Sequence, residues 1–147
     1  MAFAKKIKIL LLLIAVLFVI SCKKNTPAST NPVPNTSVDI TIYPNDPMYF
    51  KIQTPGGWVY IPGGVNGIII YRLTAADFIA LDRTSTYYPN DPAALAKVQS
   101  DNFTCKDTVS GSKWQIIDGV VISGPATYGL KRYNTYYANN NSLRIYN

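Results

Sequence analysis

The chain contains no histidine and no glutamate. Without imidazole there is no Ser-His-Asp or Cys-His centre, because the nucleophile of both hands its proton to a ring nitrogen. Without glutamate, all eight acids are aspartates. Those in the body that invite attention (Asp82, Asp101, Asp107 and Asp118) are scattered, and three of the four sit in turn contexts. A glycosidase needs one carboxyl raised in pKa beside another, and that spacing does not supply the pair. Charge is scarce too, at 15% of residues. The formal charge of +6 gathers at the start, in Lys5, Lys6, Lys8, Lys23 and Lys24. From residue 37 onward nine cations face eight aspartates, so the body is nearly neutral and a nucleic-acid partner is not expected. There are two cysteines, Cys22 and Cys105. No site for catalysis is visible, and none is expected.

What is present begins with a targeting signal. Three lysines precede an unbroken apolar run over residues 9–20, shorter than the twenty or so residues a spanning helix needs. The run ends in Val19-Ile20-Ser21-Cys22, which resembles a bacterial lipobox: aliphatic residues, a small residue, then cysteine. The resemblance implies a signal peptide over 1–21, with Cys22 lipidated as the first mature residue. It implies a membrane anchor and a place in the bacterial outer membrane, facing the periplasm or displayed at the surface. Two or more acyl chains give stable anchoring where one does not. Lys23-Lys24 is neither an inner-membrane retention signal nor the acidic pair of some Bacteroidota surface lipoproteins. Residues 22–36 are rich in Pro, Asn, Ser and Thr, which predicts a flexible linker ahead of one domain over 37–147.

That domain reads as short strands punctuated by Gly and Pro. Segments 38–43, 48–52, 58–61, 67–73, 78–81, 98–99, 103–105, 113–116, 120–122, 129–133, 135–137 and 142–146 are the expected strands, with 67–73 (GIIIYRL) the most apolar and therefore central. Thr74 suits the cap of a single helical turn, and 92–96 suits another. The pattern predicts a small all-β antiparallel sandwich or barrel. YPNDP occurs at 43–47 and again at 88–92. Two stiff turns explain it, and two lone aspartates fall short of the six to eight oxygens calcium takes.

One series stands out. Ser110-Gly111-Ser112-Lys113-Trp114 is followed by Asp118-Gly119, then Gly124-Pro125-Ala126, then Leu130 and Tyr133. It resembles the C-terminal half of a Rieske-type iron–sulfur domain, where His-Gly-Ser-x-aromatic precedes Asp-Gly and Gly-Pro-Ala. The likeness extends over about residues 65–146 and implies a Rieske-like β domain with a two-loop tip. In such a domain one loop carries Cys-x-His and the other Cys-x-x-His, two ligands to each iron. Carried over, the first pair falls on Ser85 and Tyr87 and the second on Asp107 and Ser110. All four ligand positions are then altered, and a serine hydroxyl does not replace a thiolate. The resemblance therefore implies no cofactor and no metal. It predicts that Tyr87, Tyr88, Trp114 and the two YPNDP turns pack where a cluster would have been.

Cys105, once Cys22 is lipidated, is the remaining thiol, expected as a buried small hydrophobe with Lys106 on the opposite face of its strand. Asp107-Thr108-Val109 resembles the O-glycosylation sequon of Bacteroidota, which would place a sugar on Thr108. Tyr136 and Tyr137, with Tyr87, Tyr88 and Trp114, form the candidate binding surface, since exposed tyrosine favours protein and glycan contacts. Three functions stay open: a non-catalytic binding or structural module for an envelope protein or glycan, an electron-transfer protein with a rearranged metal site, and a glycan-binding surface lipoprotein.

Overall fold

The structure is a computed structural model that describes residues 30–147; the signal segment, Cys22 and the first part of the linker lie outside them. Ten strands alternate with tight turns: β1 (Asp39–Ile42), β2 (Trp58–Ile61), β3 (Ile68–Arg72), β4 (Phe78–Asp82), β5 (Ala96–Val98), β6 (Thr104–Asp107), β7 (Lys113–Gln115), β8 (Val121–Ser123), β9 (Arg132–Tyr137) and β10 (Leu143–Tyr146). All pairings are antiparallel. They build a six-stranded sheet in the order β1-β10-β9-β4-β3-β2 and a four-stranded sheet in the order β5-β6-β7-β8. The all-β expectation holds.

The apolar run of β3 follows from where it lies. Ile68 and Ile70 enter one core with Phe78, Ala80, Tyr133 and Ile145. Ile69, pointing the other way, enters a second core with Ile79, Leu81, Cys105, Trp114 and Ile116, between the two sheets. A strand covered on both faces loses alternation and reads as a continuous apolar stretch. The same holds for β4, buried at every position. The centre of the six-stranded sheet is therefore β4 with β9, and β3 lies one place from an edge, a correction to the expectation that the most apolar strand is central.

Other local expectations fail for identifiable reasons. Residues 48–52 form no strand but belong to a 3-10 helix, Pro47–Ile52. Pro47 sets the first φ, the segment kinks at Tyr49 (φ −109°, ψ 23°), and Tyr49 and Ile52 pack on the first core while Met48 and Phe50 face solvent. Thr74 does accept the amides of Ala76 (3.2 Å) and Asp77 (3.0 Å), but inside a hairpin loop closed by the Leu73 amide on the Asp77 carbonyl (2.8 Å). Residues 92–93 turn without starting a helix. Segments 129–133 and 135–137 are not two strands; β9 runs unbroken through Asn134.

The linker expectation is corrected for residues 31–36. Asn31 donates to the Gly129 carbonyl (2.9 Å), Val33 is buried, and Lys131 donates to the Pro34 carbonyl (2.6 Å) and to Asn35 (3.0 Å). A Pro/Asn/Thr composition is compatible with an extended segment held by side chains from elsewhere in the chain, which composition alone does not reveal.

One buried acid ties the architecture together. Asp82, at the end of β4, accepts the amides of Val65 and Thr84 (2.8 Å each), the Thr84 hydroxyl (2.6 Å) and the Tyr133 hydroxyl (2.7 Å). The loop after β2 reaches this carboxylate through Gly64, at φ +61°, where an added Cβ would stand 2.3 Å from Asp82 Oδ2. No other residue type fits there.

Candidate functional site

Register brings three loops to one end of the four-stranded sheet. Thr84 bridges Leu95, Ala96 opposes Asp107, Lys106 opposes Lys113, and Lys113 opposes Ser123. Loops 85–94, 108–112 and 124–128 therefore leave from the same side, giving the two-loop tip with a third segment beside it. That segment joins the others. Ala126 donates its amide to Ser112 Oγ (3.1 Å), while the Tyr128 carbonyl accepts both Thr86 Oγ1 (2.6 Å) and Trp114 Nε1 (3.1 Å). Gly124, at φ +95°, lets the 124–128 segment lie against Ser112, whose Cα would be 2.6 Å from any added Cβ.

The interior of the tip is polar and self-satisfied. Asp107 is buried and accepts the Val109 amide (2.8 Å), the Ser110 amide (3.3 Å) and the Ser110 hydroxyl (2.6 Å). Ser110 Oγ also accepts the Ser112 amide (3.1 Å) and lies 2.9 Å from Ser112 Oγ. In the other loop Ser85 is buried, donates its amide to the Ala94 carbonyl (2.9 Å) and accepts the Tyr87 amide at Oγ (3.3 Å).

The aromatic residues are disposed differently from expectation. Trp114 is fully buried, but in the core between the sheets. Tyr87 and Tyr88 do not fill the tip; they are 42% and 44% exposed and stack edge-to-face at 4.5 Å. With Pro89, Asn90 and Asp91 they frame a surface hollow of about 430 Å³. The turn at 43–47 lies at the opposite end of the six-stranded sheet, because Ile42 pairs with Leu143 and Leu143 with Tyr137, far from Arg83. Small polar groups close the tip instead: a carboxylate and hydroxyls need less room than phenol rings and satisfy the loop's own amides. Tyr136 and Tyr137 are also at that far end. Tyr136 is exposed, whereas Tyr137 packs on Phe78 at 5.0 Å. The five candidate contact residues thus fall into three places.

A two-iron cluster does not fit this donor set. Among the described residues no group of three or more Cys, Asp, His or Glu side chains could hold a metal ion. Asp107 and Ser110 spend their oxygens on each other and on loop amides. Cys105 faces the core on the opposite side of β6 from Lys106, and burial, with a smaller contribution from Asp101, pushes its thiol up to about 12. The thiolate that would bind metal is therefore disfavoured. Thiol reagents at pH 8 are expected to leave native Cys105 unmodified and to label it in denaturant. Fast labelling of the native protein would refute the burial. The raised thiol pKa also links to stability. The native state keeps a proton that the unfolded chain sheds above about 9. This group's contribution is then whole below about pH 9 and is lost as pH rises toward about 12.

The hydrogen bonds that Ser112, Thr86, Ala126 and the Tyr128 carbonyl make at the tip are not legible in the sequence. The Gly-Pro-Ala motif marked the segment, but which groups it would receive depends on long-range register.

No family model matches the chain, and no curated protein matches it. Solved structures do. A chain of the complex of reduced oxygenase and oxidized ferredoxin in carbazole 1,9a-dioxygenase is 18% identical over 63% of this chain and 82% of its own, with a TM-score of 0.46. The ferredoxin of carbazole 1,9a-dioxygenase from Nocardioides aromaticivorans IC177 is 10% identical over 76% and 98%, with a TM-score of 0.48. The Escherichia coli protein NirD is 13% identical over 76% and 98%, with a TM-score of 0.46.

Proposed function

We propose that the protein is an envelope lipoprotein whose Rieske-like β domain holds no cluster and serves as a non-catalytic binding module. The carrying observation is the occupied tip: Asp107, Ser110 and Ser112 form a closed hydrogen-bonded set at the second-loop ligand positions. A group that satisfies its own loop needs no metal to order it. Cys22 anchors the domain in the outer membrane, with the domain on the periplasmic side. The contact surface is the Tyr87–Tyr88 pair, a stacking platform beside the amide of Asn90 and the carboxylate of Asp91. Exposed rings flanked by short polar groups suit a sugar ring or a protein loop.

Protein purified anaerobically is expected to be colourless, free of iron and acid-labile sulfide, and to unfold in one cooperative step. Partners captured from solubilised envelopes should be lost from the Tyr87→Ala/Tyr88→Ala double variant, whose unfolding midpoint should stay near that of the wild type. A brown preparation with stoichiometric iron and sulfide would sink the proposal and favour electron transfer.

A further inference from the structure

Lys97, Lys106 and Lys113 stand directly opposite one another on β5, β6 and β7. Successive strands lie about 4.8 Å apart, so the row sets three ammonium groups along roughly 10 Å of one sheet face. The neighbours on the same strands, Val98, Cys105 and Trp114, point the other way, into the core. Like charges directly across a strand pair repel. Among the described residues none of the three lysines forms an ion pair. The ion pair among the described residues is Arg144 with Asp39, on a different sheet. The aspartates of the nearby loops are committed elsewhere: Asp91 to the Ala93 amide, Asp101 to the amides of Phe103 and Thr104, Asp118 to the Val120 amide, and Asp107 to its own loop. The other two described lysines are engaged, Lys51 over the Trp58 ring at 5.4 Å and Lys131 on the Pro34 carbonyl. Three unpartnered cations in register, in a nearly neutral domain, are a flat surface complementary to spread negative charge.

Next to the row lies β8, where the exposed Ile122, with Val120 just before the strand, adds apolar area. The chain joins the domain beside this strand. Asn31 is held on the Gly129 carbonyl, and the next residue, Leu130, donates to the carbonyl of Gly119 in the β7–β8 turn (2.9 Å). Residues 23–30 span at most about 28 Å when fully extended. A domain of this size is about 35 Å across. An anchor at Cys22 would therefore hold the β8 edge within that tether's length of the lipid headgroups.

We propose that the outward face of the four-stranded sheet docks on the anionic surface of the bilayer that carries the anchor. Lys97, Lys106 and Lys113 meet lipid phosphates, and Ile122 and Val120 reach the interface. The inference rests on the lipoprotein reading for its tether and on the lysine row for its orientation. It leaves the Tyr87–Tyr88 hollow on the neighbouring end of the domain free for a partner.

The test is lysine acylation of the full chain, read by mass spectrometry, in phosphatidylcholine vesicles and in vesicles of phosphatidylcholine and phosphatidylglycerol in equal parts. Each lysine near an anionic surface is worth roughly a fivefold gain in association. Acylation of Lys97, Lys106 and Lys113 is expected to slow at least about fivefold in the anionic vesicles, with Lys51 unchanged, and to recover in about 1 M salt, where screening shortens to a few ångströms. Equal labelling in the two vesicle types would overturn the proposal. So would protection by a soluble acidic polysaccharide but not by anionic vesicles. Flotation with pure phosphatidylcholine vesicles reports the anchor separately. A chain that fails to float, yet is protected in anionic vesicles, keeps the docking face and loses the lipoprotein reading.

Discussion

Asp82→Ala is expected to destabilise the domain by on the order of 5 kcal/mol, the largest effect of any polar substitution here. The carboxylate is fully buried and receives four donors from three separate parts of the chain. Removing it strands the amides of Val65 and Thr84 and the hydroxyls of Thr84 and Tyr133 without an acceptor. Each orphaned buried donor costs about 1–3 kcal/mol, with partial recovery as the site relaxes. The total rivals the whole stability of an ordinary domain, so much of the variant should be unfolded at 25 °C. Tyr133→Phe takes away one donor and leaves the acceptor served by three, so it should cost only about 1–2 kcal/mol. The same hydrogen bond, after the larger effect of burial, holds the Tyr133 phenol protonated well above its usual range. Urea unfolding of the two variants is the measurement. A loss below about 1 kcal/mol for Asp82→Ala would mean that water replaces the carboxylate, and that Asp82 does not join β4, β9 and the loop after β2.

Asp82 also shows what the chain discloses before it folds. In sequence it is one acid at the end of an apolar strand, and nothing marks it as the meeting point of residues seventeen and fifty-one positions away. The strands themselves were legible because their pattern is local: apolar runs broken by Gly, Pro, Asn and Asp fix type and approximate bounds. Elements that depend on tertiary contact were not. The stretch at 47–52 mimics a strand in composition, and only the core beneath Tyr49 and Ile52 selects the kinked helical turns. The docked 31–36 segment lacks any apolar pattern beyond Val33 and is held by Lys131 and Asn147 from the far end of the chain. At the tip, the glycines and Pro125 mark the loops, whereas the exposed position of Tyr87 and Tyr88 is not legible, because it depends on shorter polar side chains closing the gap. The lysine row was present as three separated letters, and only the pairing of β5 with β6 and β6 with β7 turns them into a surface.

Asp107→Ala carries the second large effect, expected at about 3 kcal/mol, with a local signature that separates it from a general weakening. The substitution strands the amides of Val109 and Ser110 and frees the Ser110 hydroxyl, which in turn positions Ser112 to receive Ala126. The failure should therefore spread from loop 108–112 into the 124–128 segment while leaving the core behind it intact. Amide exchange at Ala126 is expected to accelerate at least about tenfold more than exchange at Leu81 or Tyr133, since partial opening needs less free energy than global unfolding. Ser110→Ala should give the same pattern at about 1 kcal/mol, because Asp107 retains its two backbone donors. The cross-link between the tip segments falls to one buried carboxylate and two hydroxyls. If Ala126 exchanges no faster in Asp107→Ala than in the wild type, the tip is ordered by the Tyr128 carbonyl and its two donors, Thr86 and Trp114. Asp107 and Ser110 would then be free of structural duty, and a role for them in binding would have to be reopened.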